Sequence, residues 1–499
     1  MSEKVYQKKA FIGGEWVESE SGERFEVNYP GDGSVIGTAP ACTRKDAQKA
    51  IGAAIEGQKA LAKLSLVKRI ELLHKAMELA KKRDEESCRL TCLESGKPIQ
   101  QAIWEGSTID GYSWSNFHVA AANIKSYRGM TLPNVTEDSN NKRLTYIYEP
   151  VGVVVNISTF TYPSEMPNIT IPYALAMGNA VIVKPSSGSP FSCILTAEVL
   201  EEAGFPPGSI NVLTGAGEEV GAELAANPGT QAICLFGQEP TGEKVAKNAV
   251  MKKLLIAIVS NNPLIVMDDA NIEAAVEAAL GGCYAHNGQS PISTRRILVH
   301  KDVHQDFVSR FVERTQALKL LDPLDEKADV GPVHNSKMLK VALTHLEDAR
   351  KKGAKFLTGG NNPKGLYLEP TIIDEATGDM LVTQEATPGP VAPIMTFENI
   401  DEAVELANST RFGFQTGAFT SGLANAYYLA ENIQAGGVYI NEATNCWDEM
   451  APFGGVKKSG IGRMLSDWTF NELSQIKMIL FDLGKVKKYG GIHGLYARW

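Results

Sequence analysis

This chain has seven cysteines, an odd number, and no two of them are separated by two residues. Neither a Cys-x-x-Cys zinc or redox pair nor the disulfide framework of a small secreted domain is therefore suggested, and no metal site is expected. The cysteines fall at 42, 88, 92, 193, 234, 283 and 446, and most are expected to act as small buried hydrophobes. Long apolar runs are also missing. No stretch reaches membrane-spanning length, and Met1–Ala10 carries lysines where a cleavable leader would have an apolar core. The expected location is cytoplasmic, with no membrane partner. Positive charge is in deficit, with 49 Lys and Arg against 58 Asp and Glu and a formal charge of −9. Phosphate backbones bind basic faces, so no nucleic-acid partner is expected.

What is present is ordinary for a globular protein: 43% hydrophobic and 21% charged residues. A length of 499 residues exceeds one core and implies two or three domains. Ala10–Val17 reads as a hairpin about Gly13-Gly14. Val67–Glu94 reads as one helix, with Ile70, Leu73, Met77 and Ala80 on its buried face, and Gln100–Ala121 as another. From Val151 the pattern changes. Apolar strands at Val151–Val155, Ala180–Val183, Ile210–Leu213 and Ile233–Phe236 alternate with helical stretches, and a second such series runs from Leu264 to Ile440. Continuous apolar strands interleaved with helices indicate parallel sheets covered on both faces, hence two doubly wound α/β domains.

Several short motifs fall at strand ends. Lys184-Pro185-Ser186-Ser187 follows a buried strand, where a lysine can meet a ribose or phosphate, although a solvated strand-end lysine is the simpler reading. Gly215-Ala216-Gly217-Glu218-Glu219-Val220-Gly221 has its third glycine one place late for a dinucleotide loop. Phe236-Gly237-Gln238 opens a helix whose amino end can face a pyrophosphate, but glycines at such turns usually serve only the turn. The longest motif is Pro452-Phe453-Gly454-Gly455-Val456-Lys457-Lys458-Ser459-Gly460-Ile461-Gly462-Arg463.

Together with Glu94-Ser95-Gly96-Lys97-Pro98, Gly288-Gln289 and Gly389-Pro390-Val391, that segment resembles the aldehyde dehydrogenase superfamily from about Ala10 to Leu483. The resemblance implies a cofactor domain of residues 1–127 and 150–258, a catalytic-type domain of 259–468, and a bridging segment of 128–149 and 469–499 that pairs subunits into homodimers or homotetramers. It also implies a chemistry: a cysteine thiolate attacks the aldehyde, an asparagine holds the oxyanion, NAD(P) takes hydride, and a glutamate activates water. In this chain the cysteine's place holds Pro291, the asparagine's Thr161 and the glutamate's Ala257. Proline has neither a nucleophilic side chain nor a backbone N–H. Cofactor positions depart as well. The adenosine-ribose acid becomes Ser187, the serine after Gly237 becomes Gln238, the nicotinamide-ribose glutamate becomes Ala386, and its neighbouring phenylalanine becomes Pro388.

With Lys184, Ser187, Gly217, Gly221, Gly237 and Gln238 as the cofactor positions, NAD(P) binding is expected to be weak, leaning to NADP because a serine at 187 tolerates a 2′-phosphate. Phe160, Ser290 and Trp447 match substrate-pocket positions, and Cys446 and His286 are the substitute groups to weigh. An unperturbed cysteine is commonly inert, and a lone histidine ending an apolar helix is usually packed. The favoured expectation is a protein of aldehyde dehydrogenase fold inactive in aldehyde oxidation, with a binding or structural role. An enzyme of another reaction class in the same pocket, or a dehydrogenase with a relocated nucleophile, are the alternatives.

Overall fold

A computed structural model describes residues 6–109, 111–127, 129–135, 141–446 and 448–483. Its first large sheet runs in the order Gly460–Ile461, Lys253–Ile258, Ala232–Gly237, Val153–Ile157, Ala180–Lys184, Ile210–Val212, Ala10–Ile12, Glu15–Val17. The five central strands are parallel and the others antiparallel. Along these strands alternate residues enter two different cores: Val154, Val181 and Cys234 face one, Val155, Ile182 and Leu235 the other. Helices therefore cover both faces, and apolar residues run uninterrupted through each strand.

The expected hairpin is present, and Gly13 and Gly14 both have positive φ, 65° and 90°. A two-residue turn of that kind matches the twist of its strands, and side chains would strain it. The second sheet runs Lys355–Thr358, Thr371–Asp374, Val391–Phe397, Thr294–His300, Asn262–Val266, Gln415–Phe419, Gly437–Ile440, and all but its first pairing are parallel. A third, antiparallel sheet joins Ser474–Asp482 to Lys142–Pro150 and Met130–Leu132.

Two expected helices are each broken. The first consists of Leu66–Lys81 and Asp84–Ser95. Between them Arg83 leaves helical geometry, with its guanidinium held by Glu86 and Glu198 at 2.8 and 2.7 Å. The second consists of Ile99–Gly106 and Tyr112–Asn123. Ser107 is extended there, and its hydroxyl donates to Asp84 at 3.0 Å. Periodicity alone does not register such side-chain competition for the backbone path.

The seven cysteines are free, six of them buried. Burial pushes the thiols of Cys88, Cys92 and Cys234 up to about 12, so they are inert near neutrality. Among the described residues no helix is long and apolar enough to cross a membrane, and no cluster of His, Cys, Asp and Glu could hold a metal ion.

Candidate functional site

From Val153–Ile157 the chain winds out along the first sheet in one direction through Ala180–Lys184, then returns to wind in the other through Ala232–Gly237. Loops leaving the carboxyl ends of oppositely wound strands must part, and the gap is where such sheets take ligands. Here it is a groove of about 630 Å³. All six cofactor positions read from the sequence line it: Lys184, Ser187, Gly217, Gly221, Gly237 and Gln238. A methyl added at Gly217 or Gly221 would meet only the Lys184 stem, at 4.0 and 3.5 Å. Protein packing does not demand glycine at either place, and the room they leave belongs to the groove.

Lys184 ends its strand with 5% exposure, and among the described residues its ammonium donates only to the adjacent Pro185 carbonyl, at 2.8 Å. No carboxylate pairs with it among the described residues, and burial lowers its pKa to about 8. An unpaired buried ammonium is costly unless a ligand answers it, so the groove fits the phosphate or ribose of a dinucleotide. The Ser187 hydroxyl donates to the Gly215 carbonyl at 3.1 Å and can still accept. Beyond Gln238 the helix Glu239–Asn248 begins with Glu239 and Pro240. Proline removes one of the helix's free N–H groups, so the helix offers an anion fewer donors than usual. Glu239 and Glu385 are both taken by Arg411, at 2.8 and 2.5 Å.

The inner end of the groove is formed by Thr161, Val259, Gln289, Arg295, Ala386 and Pro388. Arg295 was not singled out from the sequence, although two arginines entering an otherwise apolar strand are themselves an anomaly. Phe160, expected in the substrate pocket, instead lines the groove and stacks on His334 with ring centroids 4.0 Å apart. Burial pulls His334 down to about 4, leaving an uncharged ring in that stack.

Pro291 faces elsewhere. It borders a void of about 10 Å³ with Trp104, Tyr162, Glu165, Met166, Ile292 and Phe453. That is room for about one water molecule. The Pro291 carbonyl accepts from the Asn262 amide at 3.0 Å and from the Ser260 N–H at 3.4 Å. Ser290, another expected pocket residue, lines neither cavity; its Oγ accepts from the Tyr162 hydroxyl at 3.1 Å and the Ile292 N–H at 3.3 Å. Neither donor can act as a base towards it.

His286 lies at a kink where it and Asn287 have φ of 53° and 57°. Its Nε2 meets the Thr161 carbonyl, which only accepts, so Nε2 carries the proton. Burial, with Lys97 nearby, holds the ring neutral, and it braces the Thr161 loop. Cys446 is partly exposed and lines neither cavity; burial, Glu442 and Asp448 raise its thiol, which opposes thiolate formation. Ala257 packs in the core under the first sheet, opposite Phe236 and Gly460. Trp447 lies outside the described residues.

Beneath the void lies a charge cluster that sequence patterning did not reveal. The Lys97 ammonium pairs with Glu105, both at most 1% exposed, and stands 4.1 Å from the centre of the Tyr162 ring. Glu105 also accepts the N–H groups of Ser164 and Glu165, at 2.9 and 3.1 Å, tying down the loop that carries Thr161. Among the described residues the Glu165 carboxyl has no hydrogen-bond partner, and burial, then Glu105, raises its pKa well above the ordinary value.

The model of the aldehyde dehydrogenase family matches residues 16–479. The chain belongs to that family. It is 34% identical over 484 residues to a betaine aldehyde dehydrogenase of Sinorhizobium fredii, covering 96% of this chain and 98% of the relative. It is 34% identical over 476 residues to a lactaldehyde dehydrogenase of Methanocaldococcus jannaschii, covering 95% and 100%. Among solved structures, an NAD-dependent aldehyde dehydrogenase from Sinorhizobium meliloti superposes with a TM-score of 0.93 at 30% identity, covering 98% of this chain and 97% of the other. A glyceraldehyde-3-phosphate dehydrogenase from Methanocaldococcus jannaschii, complexed with NADP, gives 0.87 at 33% identity, covering 92% and 99%. The architecture is thus the aldehyde dehydrogenase fold, with α/β domains on mixed sheets.

Proposed function

We propose that this member of the family binds a nicotinamide dinucleotide but does not oxidise aldehydes. One observation carries the reading: the groove past Lys184 keeps about 630 Å³, whereas Pro291 faces about 10 Å³. In the proposed pose adenine enters the apolar slot between Ala222–Ala226 and Glu239–Asn248, beside Ala225 and Val245. Lys184 and Ser187 hold the adenosine ribose or its 2′-phosphate, favouring NADP over NAD. The nicotinamide end then points to Thr161, Gln289 and Arg295. Bound NAD(P) would supply a hydride acceptor, but Pro291, Ser290, Thr161 and Ala257 present no group that attacks an aldehyde. Calorimetric titration with NADP⁺ and NADPH tests the binding: saturable uptake is expected, and no heat from either ligand would end this reading.

Affinity should depend on pH. Bound phosphate favours charged Lys184 and so raises its pKa above the free-protein value of about 8. Protons are therefore taken up on binding near and above pH 8, and affinity falls as pH rises through that value. Titrations at pH 8 in buffers of different ionisation enthalpy should show proton uptake; Lys184→Met should bind more weakly and lose the pH dependence.

We also propose that residues 1–127 and 150–258 form the cofactor domain, 259–468 the catalytic-type domain, and 128–149 with 469–499 a bridge that pairs subunits. The strand Ser474–Asp482 supports this pairing, because Ile476, Met478 and Leu480 lie on one face and are 64%, 60% and 45% exposed. Exposed apolar faces of this kind mark protein contacts. Light scattering should give a dimer or tetramer, and Ile476→Lys with Met478→Lys should shift it toward monomer.

A further inference from the structure

Arg295 is the anomaly of the groove. The residue is 2% exposed; its guanidinium donates to the carbonyls of Thr387 and, at 3.0 Å, Ser290, and among the described residues its Nε has no partner. Among the described residues no carboxylate pairs with it. The rest of the inner end is neutral: Thr161, Val259, Gln289, Ala386 and Pro388. Glu385, two residues before Thr387, is bound to Arg411. A fixed positive charge thus faces the end of a cavity where a charge held out of water acts strongly.

Resting on the dinucleotide reading and the pose given above, we infer that Arg295 makes the groove selective for the reduced cofactor. The oxidised nicotinamide ring carries a positive charge and the reduced ring is neutral. Otherwise the two ligands share their adenosine, ribose and phosphate groups, so a cation at the inner end penalises one and spares the other. The protein would then fill with NADPH or NADH according to how reduced the dinucleotide pool is, while its own residues transfer no hydride. Such a binder reports a ratio.

The size follows from Coulomb's law. A unit charge roughly 6–10 Å away, at an effective dielectric constant of about 20, changes affinity by about ten- to a hundredfold.

The experiment is calorimetric titration of the full-length protein with four ligands, NADP⁺, NADPH, NAD⁺ and NADH, and with 2′-phospho-ADP-ribose, which lacks the nicotinamide. NADPH is expected to bind at least tenfold more tightly than NADP⁺, with NADH and NAD⁺ ranked alike, and 2′-phospho-ADP-ribose should also outbind NADP⁺. Arg295→Gln keeps donors for the two carbonyls without the charge and should cut the oxidised-to-reduced ratio of dissociation constants by about tenfold. Arg295→Lys should preserve it. Equal affinities in the unaltered protein, a result that needs no variant to fold, would overturn the inference and leave dinucleotide binding standing. So would a ratio unchanged in a folded Arg295→Gln protein. If none of the five ligands binds, the dinucleotide reading fails and selectivity falls with it.

Discussion

Purified protein given NADP⁺ or NAD⁺ and a panel of short-chain, aromatic and amino aldehydes is expected to form no reduced cofactor above the uncatalysed background. Absorbance of the reduced nicotinamide is the measurement. Cofactor-dependent turnover at rates ordinary for an enzyme would sink the proposed function. Cys446→Ala should leave the result unchanged, because that thiol borders neither cavity and is surrounded by Glu442 and Asp448. Pro291→Cys alone should not restore oxidation either. The new thiol would meet a void of about 10 Å³ walled by Trp104, Tyr162 and Phe453, with no room for an aldehyde. It would also lack a general base, worth typically about 10² to 10⁴ in rate, and an oxyanion donor, worth about 10² to 10³. These factors do not multiply cleanly, since they act on one intermediate. Placing glutamate at position 257 to supply the base would bury a carboxylate in the core where Ala257 now packs.

The second large effect concerns stability. Lys97→Met should destabilise the protein by about 3–5 kcal/mol, because it leaves the Glu105 carboxylate buried without a counter-charge. That is a large part of the roughly 5–15 kcal/mol that holds a typical domain together. Urea titration is the check. Lys97→Met combined with Glu105→Gln removes both charges and should recover much of the loss, so that the double-mutant cycle shows strong coupling. Additive effects in that cycle would mean that the pair is not a unit. The same pair, through the Ser164 and Glu165 N–H groups, fixes the loop that carries Thr161 between the groove and the void. Dinucleotide affinity should fall in the single variant as well.

Uninterrupted apolar strands alternating with helical stretches are local properties, so the α/β architecture, the opening hairpin and the exits after Lys184 and Gly237 were legible from sequence. Helix boundaries were not. Arg83 and Ser107 break two helices through partners at Glu198 and Asp84, residues far along the chain or across a loop.

The amino-acid sequence by itself determined that proline, threonine and alanine stand at 291, 161 and 257, the places to which the resemblance assigns the family's chemistry, and no folding can change those groups. Only the tertiary structure decided that the groove stays open while the space at Pro291 closes, because volume depends on how Trp104, Tyr162 and Phe453 converge from three separate segments of the chain. It likewise decided that, among the described residues, Arg295 has no carboxylate partner. Sequence records that a charge is present; its worth depends on its neighbours and on how much water is excluded around it, and folding sets both.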